Sequence, residues 1–477
     1  MFAKVEGVCE TSAIMLKRLI IFIFAVAALV CRADDAFTKM FAERAKCAVS
    51  VRYVIELEEE RRQFVTCGLV ADASGLIILP GSEVPEGVRV SALKDFKIFF
   101  FEGDVDGYPA DYIGCDRISR THFLKLRKGL PSGLVPVSKF PRAEAAMGQE
   151  LWGVGIYPEQ EMFEPFLRRS YVTDIGRRPL TAGRLAMPVT CVGGPVFDSA
   201  GNFVGWGQSE AIFDVIIYID KGKRAPVGIG CPLDSRAFLF PFELDEILKR
   251  IPKNPDGDPR AWLGVSDIQL LKRDVAKILG LQNKCAIVLS DVIKKSPAEA
   301  AGLKNGDIIV GMNGKDIERL KSDGSTLANL FVSLSKMNPG DKVQFSVIRG
   351  SDAPKTFEAV MGEAPKNFRQ SKFQYFKRLG FSVREFLMDD AMARRILETG
   401  RDGAVVQFVK PNSPASTALP TALDRNDVIK EINSKPVKTY AEAIEILSAV
   451  NADKTAKDLV ILAEDFRETK VIRIKLD

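Results

Sequence analysis

Histidine is almost absent from this chain of 477 residues, with His122 its only copy, so metal chemistry built on imidazole is poorly supplied. The eight cysteines contain no CxxC pair, which removes the usual zinc and dithiol redox patterns. An excess of one charge is lacking too. Lys and Arg number 67 against 62 Asp and Glu, a formal +5, and no window gathers basic residues with aromatics into a phosphate-tracking stripe. Nucleic acid is therefore set aside as a partner, and no metal or cofactor is expected.

Membrane-spanning apolar length is also wanting. The run Leu19 to Val30 has twelve residues, too few to cross a bilayer comfortably. Met15-Leu16-Lys17-Arg18 precedes it, and Cys31-Arg32-Ala33 follows before acidic Asp34-Asp35. Basic head, short apolar run and small final residue describe a secretory signal peptide over residues 1–33, with Met15 as an alternative start. An uncleaved anchor is the lesser alternative. A lipid anchor on Cys31 is weaker still, because Val30 is bulkier than the small residue such sites use. Export to the periplasm or cell envelope, or secretion, is expected. Removing the segment leaves Cys47, Cys67, Cys115, Cys191, Cys231 and Cys285, an even set that permits disulfides.

What remains is globular by composition, with 46% hydrophobic residues. At roughly 150 residues per domain the length suggests about three domains. From Cys47 to Gly205 short β-branched and apolar runs alternate with Gly, Pro and Asp. Examples are Ala48 to Leu57, Phe64 to Ala71, Leu76 to Leu79, Val88 to Leu93 and Leu151 to Ile156. Such spacing predicts an all-β barrel or sandwich, and Asp72-Ala73-Ser74-Gly75 marks a hairpin. Helical spacing begins at Pro241 and runs to Ile251, followed by a linker rich in Pro, Asp and Gly over 251–259.

Beyond the linker the chain repeats itself. Ser296-Pro297-Ala298 returns as Ser413-Pro414-Ala415, Asn305-Gly306-Asp307-Ile308 as Arg425-Asn426-Asp427-Val428, and Asn313-Gly314-Lys315 as Asn433-Ser434-Lys435. An offset of roughly 120 residues suits tandem domains rather than solenoid units. Each copy opens alike, with Trp262-Leu263-Gly264-Val265 and Arg378-Leu379-Gly380-Phe381.

Thr190-Cys191-Val192-Gly193-Gly194-Pro195 has the frame of a serine-protease nucleophile loop. Together with Gly68-Leu69-Val70, Val154-Gly155-Ile156, Val172-Thr173-Asp174-Ile175-Gly176, Gly228-Ile229-Gly230 and the tandem repeats, it resembles the HtrA (DegP-like) envelope serine proteases. The resemblance implies a multidomain chain: an all-β chymotrypsin-like double β-barrel over 34–250, then two α+β PDZ domains over 260–362 and 373–477. It also brings Cys231 near Cys191, which allows a bridge between them, while unpaired buried thiols fit as well.

Carried over by position, the family's catalytic histidine falls on Ser82, its aspartate on His122 within one residue, and its serine on Val192. A serine hydroxyl is no general base near neutral pH, an imidazole does not replace the orienting carboxylate, and an alkyl group does not attack a carbonyl. A degenerate triad and an inactive protease fold are expected. A permuted site using Cys191 or Thr190 with His122 is the sharper alternative. It is disfavoured because the acid position lies behind the base rather than against the nucleophile.

The PDZ resemblance implies peptide binding: an extended peptide adds to a sheet edge while loop amides hold its carboxylate. Leu263, Gly264 and Val265 form that loop in the first repeat, with Leu327 and Phe331 on the facing helix. Leu379, Gly380 and Phe381 take the loop's place in the second, beside Tyr440 to Leu447. As ordinary core residues they are equally well explained. The expected role is a chaperone, scaffold or adaptor for unfolded polypeptides or C-terminal peptides. The alternatives are an endopeptidase with a non-standard site and a regulatory subunit of an active paralogue. The family's habit of forming trimers implies a homo-oligomer or a mixed one.

Overall fold

The computed structural model describes residues 37–477 apart from 86, 158, 178–179, 210–217, 220–225, 228–235, 282–283, 321, 351, 397–401, 467 and 477. The signal-peptide segment and Cys231 lie outside the described residues. Among those described, no helix is long and apolar enough to cross a membrane.

Alternation along the early strands closes a barrel. In Ala48–Glu56 the residues Val49, Val51, Tyr53 and Ile55 face inward, and they meet Ile77, Leu79, Phe96 and Leu124 in one buried cluster. Fully burying each such side chain contributes roughly 1.5–3 kcal/mol. The neighbouring strands are Arg61–Val70, Leu76–Leu79, His122–Leu126, Tyr108–Cys115 and Leu93–Phe99, the last closing back onto the first. The expected hairpin pairs Leu69 with Ile78 and Val70 with Ile77, and Gly75 turns it at φ +82°. The run from Val88 forms a strand only from Leu93. Val90–Ala92 is instead a 3₁₀ turn, closed by the Ala92 amide donating to the Arg89 carbonyl at 3.0 Å.

A second closed barrel is built from Glu150–Ile156, Pro165–Arg177, Thr181–Leu185, Ala237–Leu239, Phe203–Gln208 and Pro195–Phe197. Its core is continuous with the first, since Phe123 packs in one cluster with Val154, Phe197, Phe203 and Trp206. Helix Pro241–Leu248 seals that cluster with Leu244 and Ile247. The chain is therefore a chymotrypsin-like double barrel up to this helix.

Two β-rich repeats follow. The first sheet runs Val265–Leu270, Ile287–Val292, Ile308–Met312, Lys342–Ile348, Lys355–Val360, with helix Asp323–Ser335 against it. The second runs Phe373–Phe376, Phe381–Glu385, Ala404–Val409, Val428–Ile432, Asp458–Glu464, Thr469–Lys475, with helix Tyr440–Ala452. The repeated motifs do the same structural work twice. Buried Asp307 and Asp427 accept from the Lys304 and Asp424 amides at 2.8 and 2.9 Å. Asn313 and Asn433 turn at positive φ and accept from the Gln344 and Val460 amides, each at 2.9 Å.

Candidate functional site

The nucleophile-like loop of the second barrel abuts the first, with Cys67 and Pro80 against Gly193; the three positions carried over from the resemblance are Ser82, His122 and Val192. Ser82 sits in the 3₁₀ turn Gly81–Glu83 that follows strand Leu76–Leu79. It is exposed, and its hydroxyl donates to Glu83 Oε1 at 3.1 Å. Glu83 itself is tied down, since its other oxygen accepts from the Thr66 hydroxyl and its carbonyl accepts from Tyr53 at 2.6 Å.

His122 opens the strand that pairs it with Leu79 and Cys115, and it is only 1% exposed. Its Nδ1 shares a hydrogen bond of 2.8 Å with the Tyr112 hydroxyl, while Nε2 is buried without a hydrogen-bond partner. Burial, reinforced by the Arg369 and Arg120 guanidinium groups, pulls its pKa from 6.5 down to about 3; the Gly81 backbone pulls the other way. Tyr112, raised mainly by burial, remains a phenol. His122 is thus a buried, hydrogen-bonded residue at a strand end rather than a solvated one. Tyr112 is a partner the sequence did not single out, because nothing in a lone tyrosine tells which strand neighbour it will face.

The carboxylate nearest in sequence to the acid position is also committed elsewhere. Asp116 is buried and accepts from the Ser119 amide and hydroxyl at 2.9 and 2.6 Å. Arg250, just after the sealing helix, grips both its oxygens at 3.0 Å. With that proton given to Asp116, the Ser119 oxygen accepts from the hydroxyl of buried Thr121 at 2.8 Å. This network joins the first barrel to the end of the second and engages both oxygens of Asp116 away from His122.

At the nucleophile loop Val192 is half-buried. The loop is stitched by its own backbone: Gly194 donates to the Cys191 carbonyl and Gly193 to the Gly207 carbonyl, each at 2.9 Å. Trp206 Nε1 donates to the Gly193 carbonyl at 2.9 Å, and the Thr190 hydroxyl bonds the Val154 carbonyl. Gly193, at φ +97°, has room for no side chain, since a Cβ there would stand 2.2 Å from the Cys67 carbonyl. Cys191 carries a free thiol whose interaction partner is the Cys67 thiol from the first barrel. That hydrogen bond, with burial, holds the Cys67 thiol well above its usual range. The proposed bridge partner Cys231 lies outside the described residues. Neither Thr190 nor Cys191 is bonded to His122, whose ring turns to Tyr112 instead.

The loops of the two repeats superimpose in their chemistry. Gly264 and Gly380 adopt φ +85° and +79°. A Cβ on either would lie 2.1 or 2.2 Å from the Cβ of Ser296 or Ser413, the serines of the repeated Ser-Pro-Ala motif. Leu263 and Val265 are half-buried against the first repeat's core. On the facing helix Leu327 is half-buried and Phe331 is 47% exposed. Strand Val265–Leu270 ends its sheet, so its outer edge is available for an added strand. In the second repeat Leu379 and Phe381 are fully buried, and strand Phe373–Phe376 already lies along the corresponding edge. The sequence offered only an aromatic run there, Phe373-Gln374-Tyr375-Phe376, with no indication of its partner.

Comparison with known proteins places this geometry. A family model described as PDZ domain matches residues 263–359. A probable periplasmic serine endoprotease DegP-like of Hahella chejuensis is 28% identical over 309 residues, covering 63% of this chain and 56% of that protein. One of the same description from a Marinomonas species is 30% identical over 273 residues, covering 56% and 51%. The chain spans about half the length of the curated relatives it matches. Among solved structures, a variant of the HtrA-type protease AlgW with tripeptide has a TM-score of 0.50 at 18% identity, covering 69% of this chain and 97% of that one.

Proposed function

We propose that this chain, a member of the HtrA (DegP-like) family, is an exported homologue that holds exposed or C-terminal peptide segments through PDZ grooves and does not cleave them. His122 is the observation that carries this reading. The chain's only imidazole is buried, neutral at physiological pH and committed to Tyr112, while the base turn offers a hydroxyl and the nucleophile turn an alkyl group. General-base transfer needs a basic group, most often an imidazole, within reach of the attacking group, and covalent catalysis needs a heteroatom there. The open edge of Val265–Leu270, with Gly264 permitting close backbone approach, supports peptide addition at the first repeat.

The relatives' description as periplasmic supports export to the cell envelope. Assembly into a trimer, alone or with an active paralogue, belongs to the same reading and is checked by sedimentation of the purified chain. The deciding experiment uses the mature chain with casein and with a library of peptides carrying free C-terminal carboxylates. Binding of apolar-ended peptides without casein cleavage is expected. Cleavage lost on His122→Ala or Cys191→Ala would establish a non-standard peptidase instead, and absence of binding across the library would refute the peptide-holding role.

A further inference from the structure

The second repeat's sheet carries a strand that the first lacks at the same place. Phe373–Phe376 lies outside Phe381–Glu385, on the edge that Val265–Leu270 leaves open in the first repeat. In the first repeat the residues before the loop, Ala261 and Trp262, pair instead with Glu363 and Gly362. In the second they fold straight back: Phe376 stands opposite Phe381 and Phe373 opposite Arg384, antiparallel, with the strand running toward the loop. That is the place and the polarity of a peptide added to such an edge with its C-terminal residue at the loop.

The contacts match those a ligand would make. The Gly380 amide donates to the Phe376 carbonyl at 2.8 Å, as loop amides would to a terminal carboxylate. Phe376 is 1% exposed and shares one cluster with Leu379, Phe381, Ala443 and Leu447. Gln374 reaches Ser448 on the facing helix at 3.4 Å. The loop is locked from behind, where Arg378 donates to the Val450, Asp453 and Ala456 carbonyls at 3.0, 2.7 and 2.9 Å.

We propose that residues 373–376 are a tethered ligand of the second groove, with Phe376 in the position of a bound peptide's last residue, and that external peptide enters only when this strand is displaced. The inference rests on reading both repeats as peptide-binding modules and divides their labour: the first captures, the second is shut. A ligand joined by so short a connection acts at an effective concentration on the order of millimolar, so a free micromolar competitor is excluded. The same strand is pinned to the first barrel. The Arg89 guanidinium lies 3.3 Å from the Phe373 ring centroid, Tyr375 bonds Glu59, and Lys410 pairs with Glu59 at 2.8 Å. Displacing the strand therefore also loosens this repeat from the barrel.

The test is hydrogen exchange on the full chain with and without a synthetic copy of residues 367–376 carrying a free C-terminal carboxylate. In the native chain the amides of 381–385 should exchange slowly and ignore the peptide. In Phe373→Ala/Phe376→Ala they should exchange roughly 100-fold faster, the scale of a lost tether, and added peptide should restore protection. Peptide-dependent slowing in the native chain, or no restoration in the variant, would overturn the proposal. Should that variant fail to fold, Gln374→Cys with Ser448→Cys, oxidised with glutathione disulfide, must give the 374–448 cross-linked fragment on proteolysis; its absence overturns the placement. Exchange at 265–270 reads the first groove separately. Silence there alongside restored protection at 381–385 would count against peptide capture by the first repeat and not against the tethered ligand.

Discussion

His122 is stabilised in its neutral form, and the sign of that effect can be measured. In the unfolded chain its pKa is ordinary, 6.5, and in the folded chain it is about 3. Between those values the unfolded state binds a proton that the native state refuses, so stability falls as pH drops from about 6.5 toward 3, by up to about 1.4 kcal/mol per pH unit. Above 6.5 this contribution is complete and flat. Urea midpoints at pH 7.5 and pH 5 should therefore differ more in the native chain than in His122→Gln, where the titrating group is gone; equal differences would mean that the imidazole is not buried as described. Val192→Ser is the companion change. It supplies a hydroxyl at the nucleophile turn but no base, since His122 is bonded to Tyr112 and Ser82 to Glu83, so casein should remain intact. The assignment of Ser82, His122 and Val192 to the triad positions comes from the sequence frames around them, the middle one within one residue. Tyr112, Glu83 and Asp116 were not readable there, because strand register and side-chain burial decide what they meet.

At the level of elements, local rules carried a long way. The hairpin at Gly75, the helix beginning at Pro241 and the paired Ser-Pro-Ala and Asn turns follow from turn and cap chemistry that any reader of the chain can apply. The loop glycines belong to the same class. Gly264 and Gly380 combine positive φ with a serine Cβ only 2.1 and 2.2 Å from where their own would stand, so Ala at either position meets strain and a clash together. Gly264→Ala should destabilise the first repeat by about 1–3 kcal/mol, seen in its denaturation midpoint, and should weaken peptide binding there. The second repeat has a stronger internal clamp. Arg384 on the groove strand holds Asp390 at 2.6 and 2.7 Å, both buried, and Asp390 also accepts from the Leu387 amide at 2.8 Å. Removing one partner strands the other charge, so Asp390→Ala should cost about 3–5 kcal/mol, measurable by thermal unfolding. The strand Phe373–Phe376 escaped sequence reading for a physical reason. Four residues of mixed aromatic and polar character are too few to show strand alternation, and only their pairing across the Lys377–Gly380 turn with Phe381–Glu385 makes them a strand.

The whole molecule adds contacts that no single domain contains. Arg177 of the second barrel reaches Glu318 at 3.0 Å and Asn329 at 3.0 Å in the first repeat, and Arg117 of the first barrel reaches Asn338 at 3.2 Å. These pairs are exposed and each contributes no more than about 1 kcal/mol. The junction between the first barrel and the second repeat differs in kind. Arg89 and Glu58 are 6% and 8% exposed and paired at 3.3 Å, Ser382 donates to Glu58 at 3.0 Å, and the guanidinium packs between the Phe373 and Phe368 rings. Two of its nitrogens have no hydrogen-bond partner, so the aromatic faces and the one carboxylate hold a charge that burial would otherwise expel. Arg89→Ala leaves Glu58 without its counter-charge and Phe373 without its lid, which should cost about 3–5 kcal/mol at this junction. Because the barrel core and the first groove lie apart from it, the expected outcome is local. Small-angle scattering should show an extended chain, protease should cut within 364–372, and peptide binding at the first repeat should be unchanged. An unaltered scattering profile would mean that the linker and the Glu59 contacts with Tyr375 and Lys410, rather than Arg89, fix the second repeat against the barrel.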